Sequence, residues 1–201
     1  MHCPVYNQEM TMKSMTEIFE QIYQDKAWVT KHHNPTSLSG PGSFPTSTVE
    51  YHKFLSEFID KNHINSVVDY GCGDSGVYDN FDWGNVSYTG IDVSQTAINL
   101  ARARHPNKTF ICTETFDVPN ADLLIVKDVF GHWSGERSTD GLGNQLHKIT
   151  EFLNINQHKF RCVLIVDGGD LSEYFPVEFK YHIEEIKFLK KTKTLHIKET
   201  E

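Results

Sequence analysis

The sequence predicts an α/β fold, with a mostly parallel β-sheet and helices on both of its faces. From residue 67 onward, short apolar runs alternate with segments of helical periodicity, which is typical of parallel strands joined by crossover helices. Polar residues follow the end of nearly every predicted strand, as expected if a site lies at the carboxyl edge of the sheet. The tail predicts two antiparallel strands, so a final hairpin closes the sheet.

Length and composition predict one domain over residues 1–201, in which residues 1–61 form helices and a lid loop and residues 62–201 form the core. The net charge of -8 disfavours nucleic acid as a partner. We find no signal peptide and no apolar run long enough to span a bilayer, so we expect no membrane partner and a cytoplasmic location. The four cysteines show no C-x-x-C spacing, which fits reduced thiols.

Two helices are predicted ahead of the core. Ser14 and Glu17 have the spacing of a capping box and begin a short amphipathic helix, which we expect to cover or flank the ligand site. Ser47 and Glu50 have the same spacing and begin a second helix, which extends to about Lys61. Between these helices, prolines and glycines predict a structured loop.

The core elements follow in order. Each strand is predicted from a short apolar run bounded by turn residues, and each helix from apolar residues at helical spacing. Residues 76–85 are aromatic and too few for a full helix, so we expect a stunted one. The predicted strands cover residues 67–69, 88–91, 109–112, 122–127 and 161–166, and the predicted helices cover residues 94–104 and 143–157.

The tail carries two apolar segments on either side of a lysine-rich stretch at residues 190–193. We predict two strands with their turn in these lysines, and we interpret the lysines as solvated surface charges. The apolar residues that define the two strands are Ile183, Ile186, Phe188 and Leu189 in the first and Leu195 and Ile197 in the second.

The most informative stretch is SVVDYGCGDSG at residues 66–76, in which a buried strand ends in a glycine loop. Gly71 and Gly73 allow positive φ and a close approach of the backbone to a ligand. The spelling G-x-G-x-x-G also fits a dinucleotide site. However, Asp69 and Asp74 would repel a pyrophosphate, whereas they suit a ligand with an ammonium and a sulfonium group. Asp92, at the end of the next strand, is suited to ribose hydroxyls.

The segments VVDYGCGD at residues 67–74 and YTGIDVS at residues 88–94 resemble two consecutive motifs of class I S-adenosylmethionine-dependent methyltransferases. DLLIVKDVFGHW at residues 122–133 resembles a later motif of the same family. The resemblance implies a Rossmann-like, seven-stranded sheet and S-adenosylmethionine as the cofactor. The donor-binding residues that we expect on this basis are Trp28, Ser39, Gly40, Asp69, Gly71, Cys72, Gly73, Asp74, Asp92, Val93, Thr113, Glu114 and Lys127.

Methyl transfer to a hydroxyl requires alignment and a base for the hydroxyl proton. His132 is the expected base, because imidazole changes charge near neutral pH, and Asp128 is expected to orient it or to hold the acceptor. As an alternative, Asp128 and Asp167 at neighbouring strand ends, with Asp170, could share Mg²⁺, Mn²⁺ or Ca²⁺. A metal is therefore a hypothesis rather than an assigned cofactor.

The Ser39–Ser43 loop with Trp28 upstream resembles a subgroup of small methyltransferases from bacterial and viral glycan-synthesis loci, including those of large algal DNA viruses. This resemblance implies O-methylation of a sugar hydroxyl on a glycan or nucleotide sugar, in the host cytoplasm for a viral protein. An RNA or small-molecule methyltransferase is the first alternative. Against RNA ribose methylation, Lys127 and Asp128 are adjacent and not spread over strands as in a Lys-Asp-Lys-Glu tetrad. An NAD-dependent oxidoreductase and a non-catalytic donor-binding domain are the further alternatives.

Overall fold

A computed structural model describes residues 13–32, 35–133, 146–168, 170–176, 178–188 and 191–199 of the chain. Residues 1–12, and the first three residues of the helix predicted at 143–157, lie outside the described residues. The helices are α1 (Met15–Gln24), α2 (Val49–Lys61), α3 (Gln95–Arg104), α4 (Phe130–Trp133) and α5 (His147–Asn156). The strands are β1 (Ser66–Tyr70), β2 (Ser87–Asp92), β3 (Thr109–Cys112), β4 (Ala121–Lys127), β5 (Phe160–Asp167), β6 (His182–Phe188) and β7 (Lys191–Glu199).

The seven strands form one sheet in the order β3-β2-β1-β4-β5-β7-β6. Strands β1 to β5 pair in parallel, whereas β7 pairs antiparallel with both β5 and β6. The order of the strands reverses beside β1, which is where ligands bind in open α/β sheets. The predicted fold class, a mostly parallel sheet with an antiparallel C-terminal hairpin, is confirmed.

Strand β4 shows how the sheet is buried on both faces. Leu123 and Ile125 belong to one hydrophobic cluster and Leu124 and Val126 to the other, because successive side chains of a strand point to opposite faces. Helices α2 and α3 contribute to the first cluster, and α1 and α5 to the second. All four side chains are fully buried, so β4 is fixed at the centre of the core.

The start of α2 differs from the prediction. Thr48, not Ser47, precedes the helix, and no side chain caps it. Ser47 belongs to a 3₁₀ turn, Pro45–Ser47, that leads directly into the helix. The Thr48 hydroxyl donates a hydrogen bond backward to the Pro45 carbonyl at 3.2 Å, so it does not cap the first turn of α2. The capping-box spacing of Ser47 and Glu50 was therefore misleading.

The hairpin also differs in register. Strand β6 ends at Phe188 and β7 begins at Lys191, and these two residues pair with each other. Lys191 and Lys193 are therefore strand residues, and the prediction of a turn through residue 193 is wrong. Lys193 is buried, so its interpretation as a solvated charge is wrong as well. Its position shares a face of β7 with the buried Leu195 and Ile197.

Helix α1 is attached to the core through its polar residues. Its capping box is confirmed, since Ser14 and Glu17 exchange hydrogen bonds. On the next turn, Glu20 accepts hydrogen bonds from the Ser94 hydroxyl at 2.7 Å and from the Thr96 amide at 3.1 Å. These partners lie at the N-terminus of α3, where a carboxylate is favoured.

Among the described residues, no helix is both long and apolar enough to cross a bilayer.

Candidate active site

A cavity of about 840 Å³ lies at the carboxyl ends of β1, β2 and β4. Helix α1 and the segment between α1 and α2 line it from the outside, and Lys193 of β7 lines one side. Most of the residues that the sequence predicted for the site line this cavity. They are Trp28, Ser39, Gly40, Asp69, Gly71, Cys72, Gly73, Asp92, Val93, Thr113, Lys127, Asp128 and His132.

The glycine loop forms the floor of the cavity. Gly71 and Gly73 both have positive φ, at 78° and 58°, as the sequence predicted. The amides of Gly71 and Cys72 both donate to the Ile91 carbonyl, which fixes the loop against β2. A Cβ on Gly71 would overlap the side chain of Val129, and one on Gly73 would overlap Ser39. The glycines are therefore required by neighbouring protein as well as by the turn.

Asp69 lies near the end of β1 and is buried. Its carboxylate accepts a hydrogen bond from the Tyr88 hydroxyl at 2.7 Å. Burial raises the pKa of Asp69 to about 6, although the Tyr88 hydrogen bond and the charge of Lys127 act in the opposite direction. A cationic ligand in the cavity would favour the ionised form of this carboxyl.

Asp92 ends β2 on the other side of the glycine loop. Its two carboxylate oxygens accept hydrogen bonds from the Gly73 amide at 2.9 Å and the Ser94 amide at 2.8 Å. Burial raises the pKa of Asp92 to about 6, and the amide hydrogen bonds oppose this shift. Asp69 and Asp92 thus give the cavity two acids whose ionised forms are disfavoured, although Asp92 is only partly buried.

Asp74 is placed differently from the prediction. It does not line the cavity; its carboxylate accepts hydrogen bonds at 2.7 Å from the Ser37 hydroxyl, the Leu38 amide and the Ser39 hydroxyl. Arg104 also lies 3.4 Å from it. Asp74 therefore attaches the segment before α2 to the glycine loop, and we do not assign it a contact with the ligand.

Glu114 also falls outside the cavity, whereas Thr113 lines it. Glu114 is exposed, and its carboxylate accepts a hydrogen bond from the Thr16 amide of α1 at 3.3 Å. The expected contact of an acid after β3 with the ligand is therefore not part of this site. The register of this loop places the shorter Thr113 at the cavity.

Aromatic rings close the cavity on its outer side. The rings of Trp28 and His132 stack with their centroids 5.3 Å apart, and Phe19 of α1 lies edge-on to His132 at 5.8 Å. Ser39 and Gly40 continue this wall. We call these five residues the roof. The roof thus places apolar rings beside the carboxylates and lysines that line the same cavity.

Lys127, Asp128 and Lys193 form a charged cluster at one end of the cavity. Asp128 accepts hydrogen bonds from Lys127 Nζ at 2.8 Å and from Lys193 Nζ. Burial opposes ionisation of Asp128, but the two lysine charges hold its pKa well below the ordinary value. The φ of Asp128 is 59°, a strained conformation of a kind that persists at functional sites.

The hydrogen bonds to the Asp128 carboxylate come from Lys127 and Lys193, so its expected role in orienting His132 gains no support. Its alternative role, to hold the acceptor, stays a prediction. Lys193 and Phe19 also line the cavity, and neither was predicted as a site residue. Lys193 is the charged one of the two. One signal could have revealed it: in an apolar strand, Lys193 occupies the same face as Leu195 and Ile197, and a lysine on a buried face indicates a paired charge.

The carboxylates proposed for a metal have other partners. Asp167 accepts hydrogen bonds from the amides of Gly131 at 2.8 Å and Gly168 at 2.7 Å. Asp170 accepts one from His196 at 2.9 Å, and Asp128 is paired with lysines. Within the described part of the chain, no group of three or more His, Cys, Asp or Glu residues is arranged to hold a metal ion. The metal hypothesis gains no support from this arrangement.

No protein-family model matches the sequence, and neither does any curated protein. Solved structures do match. A protein from a study of thioacetal formation during echinomycin biosynthesis superposes with a TM-score of 0.65 at 16% identity, over 92% of each chain. The chain has the fold of class I methyltransferases.

Two further structures of the methyltransferase fold are similar. The bifunctional kinase-methyltransferase WbdD matches with a TM-score of 0.56 at 14% identity, over 76% of this chain and 39% of that one. TrmK from M. capricolum, solved with S-adenosyl-homocysteine, matches with a TM-score of 0.51 at 13% identity, over 73% and 66%. This chain therefore spans about two fifths of the length of WbdD.

Proposed function

We propose that the protein is an S-adenosylmethionine-dependent O-methyltransferase that acts on a sugar hydroxyl of a glycan or nucleotide sugar. The observation that carries this proposal is a pair of acids with raised pKa values, the buried Asp69 and the partly buried Asp92, on either side of a glycine loop in a methyltransferase fold. A diphosphate at this loop would bring like charges together without water to screen them, whereas a cationic donor would relieve the cost of their ionisation.

The residues around the cavity fit this donor. Asp92 is positioned at the strand end where carboxylates bind ribose hydroxyls, and Val93 and Thr113 beside it provide a surface for the base. Asp69 and the glycine-loop residues Gly71, Cys72 and Gly73 line the same cavity as the roof. When bound, the donor supplies its methyl group as an electrophile. The chain supplies a dry site that holds the donor and acceptor in line.

A sugar acceptor is supported by the character of the outer part of the cavity. The roof contributes aromatic rings, which can stack on the apolar face of a sugar, and Lys127 and Lys193 contribute polar groups that suit hydroxyls. The loop that resembles those of viral and bacterial glycan methyltransferases supplies two residues of this roof, Ser39 and Gly40. We infer an intracellular location, since the donor is an intracellular metabolite and the described cysteines are free.

RNA remains the second candidate acceptor because of one observation. The sequence argued against ribose methylation because Lys127 and Asp128 are adjacent, but in the structure Lys193 joins them from another strand. A lysine-aspartate-lysine cluster is therefore present. The net charge of -8 still favours a small or uncharged acceptor over a phosphate chain.

Calorimetric titration with S-adenosylhomocysteine and with NADH tests the donor. We expect micromolar binding of the first and none of the second; the reverse result would establish the oxidoreductase alternative and overturn the proposal. A donor-consumption screen over nucleotide sugars, deoxysugar oligosaccharides and capped RNA then tests the acceptor. Turnover with RNA alone would contradict the sugar assignment while leaving the donor assignment intact.

A further inference from the structure

We propose that Nζ of Lys193 accepts the proton of the acceptor hydroxyl and that Asp128 is the positioning residue that holds this amine in the cavity. The proposal rests on the proposed function, because it concerns the same cavity. It replaces His132, the residue that the sequence suggested as the base, with a residue that only the fold brings to the site.

Lys193 lies at the cavity edge of the sheet. It precedes Thr194, which pairs with Asp167 at the carboxyl end of β5, so its side chain reaches the edge of the sheet where the cavity lies. Only 9% of this side chain is exposed. Its amine contacts the carboxylate of Asp128, directly after β4, and so lies between the ends of two strands.

Lys193 has charged neighbours of both signs. Two ammonium groups share the carboxylate of Asp128, and the charge of Asp167 also acts on Lys193. Burial and the charge of Lys127 lower the pKa of Lys193 to about 8, although Asp128 and Asp167 oppose this shift. A substantial fraction of the amine is therefore neutral slightly above neutral pH, and a neutral amine has a lone pair for a proton.

His132 has a different environment. Its ring stacks on Trp28 and lies edge-on to Phe19, so it is held as part of the roof. The carboxylate that we expected to orient it is bound to the two lysines instead. A general base in a buried site is commonly oriented by a third group, and Lys193 has such a partner in Asp128.

The hydroxyl oxygen forms a bond to the methyl carbon while the carbon–sulfur bond breaks, and its electron pair stays on sulfur. The hydroxyl proton passes to the lone pair of Lys193 Nζ, which becomes an ammonium group hydrogen-bonded to Asp128. This proton returns to water when the products leave, which restores the neutral amine for another turnover.

The first test needs no acceptor. Protein labelled with ¹³Cε-lysine is titrated by NMR, and the Lys193 resonance is assigned by its absence in K193R. We expect this lysine to titrate near pH 8, and at higher pH in K127M, which removes the neighbouring cation. Titration of Lys193 near 10.5, the ordinary lysine value, would overturn the proposal, because the amine would then be fully protonated at neutral pH.

The second test uses the acceptor found in the donor-consumption screen. K193R retains a charge beside Asp128 but cannot give up its proton, and we expect it to lose about 100-fold in turnover. K193M should lose a similar amount, and both variants should bind S-adenosylhomocysteine within about twofold of the native protein. K198R changes another lysine of β7, which donates to the Gln157 carbonyl away from the cavity, and should retain native turnover.

The outcomes separate the two proposals. If the native protein does not bind S-adenosylhomocysteine, the proposed function is wrong. Native binding with undiminished turnover in K193R contradicts only the role of Lys193. If H132A abolishes the rise of turnover with pH while K193R retains it, the proton acceptor is His132 and the inference is wrong.

Discussion

Asp92 illustrates how one residue serves both the fold and the proposed ligand. Its carboxylate holds the amides of Gly73 and Ser94 in place and still lines the cavity. We expect D92N to weaken S-adenosylhomocysteine binding by about 10- to 100-fold, since charge-assisted hydrogen bonds contribute about 1.5–3 kcal/mol each. Calorimetry measures the change. An affinity within twofold of the native value would exclude Asp92 from the donor site.

The raised pKa of Asp92 also predicts a pH effect on stability. Because the folded-state pKa is about 6 against 3.8 for an ordinary aspartate, the folded protein binds the additional proton between these values. This carboxyl therefore destabilises the unliganded fold increasingly as pH rises from about 4 to 6. We expect the melting temperature of D92N, minus that of the native protein, to increase as pH rises from about 4 to 6. A constant difference would contradict the shift.

Gly73 is constrained by the roof as well as by its φ of 58°. An alanine there would place its methyl group against the Ser39 and Tyr23 hydroxyls. We expect G73A to lower the free energy of unfolding by about 1–3 kcal/mol and to weaken donor binding, because positive φ is strained for a residue with a Cβ. Urea unfolding measures the loss. G84A is the matched control, since Gly84 also has positive φ but has open space around it.

Some site residues could be read from the sequence and others could not. Gly71, Gly73 and Asp92 could be placed from the sequence next to them. Each directly follows or ends a predicted strand, so its position at the carboxyl edge of the sheet needs no information from distant residues. Lys193 and Asp74 find their partners 65 and 35 residues away along the chain, so only the assembled sheet shows what they contact. From its charge, Lys193 was expected to face solvent and Asp74 was expected to contact the ligand. In the folded protein, Lys193 instead pairs with Asp128, and Asp74 accepts a hydrogen bond from Ser39.

At the scale of elements, α1 depends on Glu20 for its attachment to α3. We expect E20Q to loosen α1, because the variant loses a charge at a helix N-terminus that is worth about 0.3–1 kcal/mol. Hydrogen exchange should become faster in α1 while β1 and β4 keep their protection. E57Q, which changes an exposed glutamate of α2, serves as the control and should leave exchange in α1 unchanged.

Acid should release α1 in the native protein. The hydrogen bonds from Thr96 and Ser94 outweigh desolvation and lower the pKa of Glu20 from 4.5 to about 2. The contribution of Glu20 to stability is therefore complete above about pH 4.5 and is lost as pH falls toward 2. Exchange in α1 that shows no such dependence, or the same dependence in E20Q, would contradict this assignment.

The elements themselves were largely predictable, whereas their junctions were not. Strands β1 to β5 are short apolar runs whose period and length define them. The start of α2 was misplaced because a 3₁₀ turn runs into it, which spacing between Ser47 and Glu50 does not reveal. The hairpin register was misplaced because the lysines at residues 190–193 suggested a turn, whereas β7 begins at Lys191.

At the scale of the whole molecule, Asp69 and Asp92 couple ligand binding to pH. Ionised Asp69 and Asp92 are costly in the empty cavity, and a ligand with an ammonium group compensates this cost. We therefore expect S-adenosylhomocysteine to raise the melting temperature more at pH 7.5 than at pH 5. Scanning calorimetry at saturating ligand measures both shifts. An equal shift at both pH values would indicate that neither acid meets the ligand.

Asp74 joins the floor of the cavity to the segment that leads to its roof, through hydrogen bonds to Ser37, Leu38 and Ser39. If the spent donor leaves past Ser39, the hydrogen bonds from Asp74 to this segment have to break, and water then enters the cavity. Escape of the used nucleoside, rather than chemistry, would then govern the steady-state rate. A pre-steady-state burst of methylated product, followed by a slower steady-state rate, is the result expected if release past the Asp74 hydrogen bonds limits turnover.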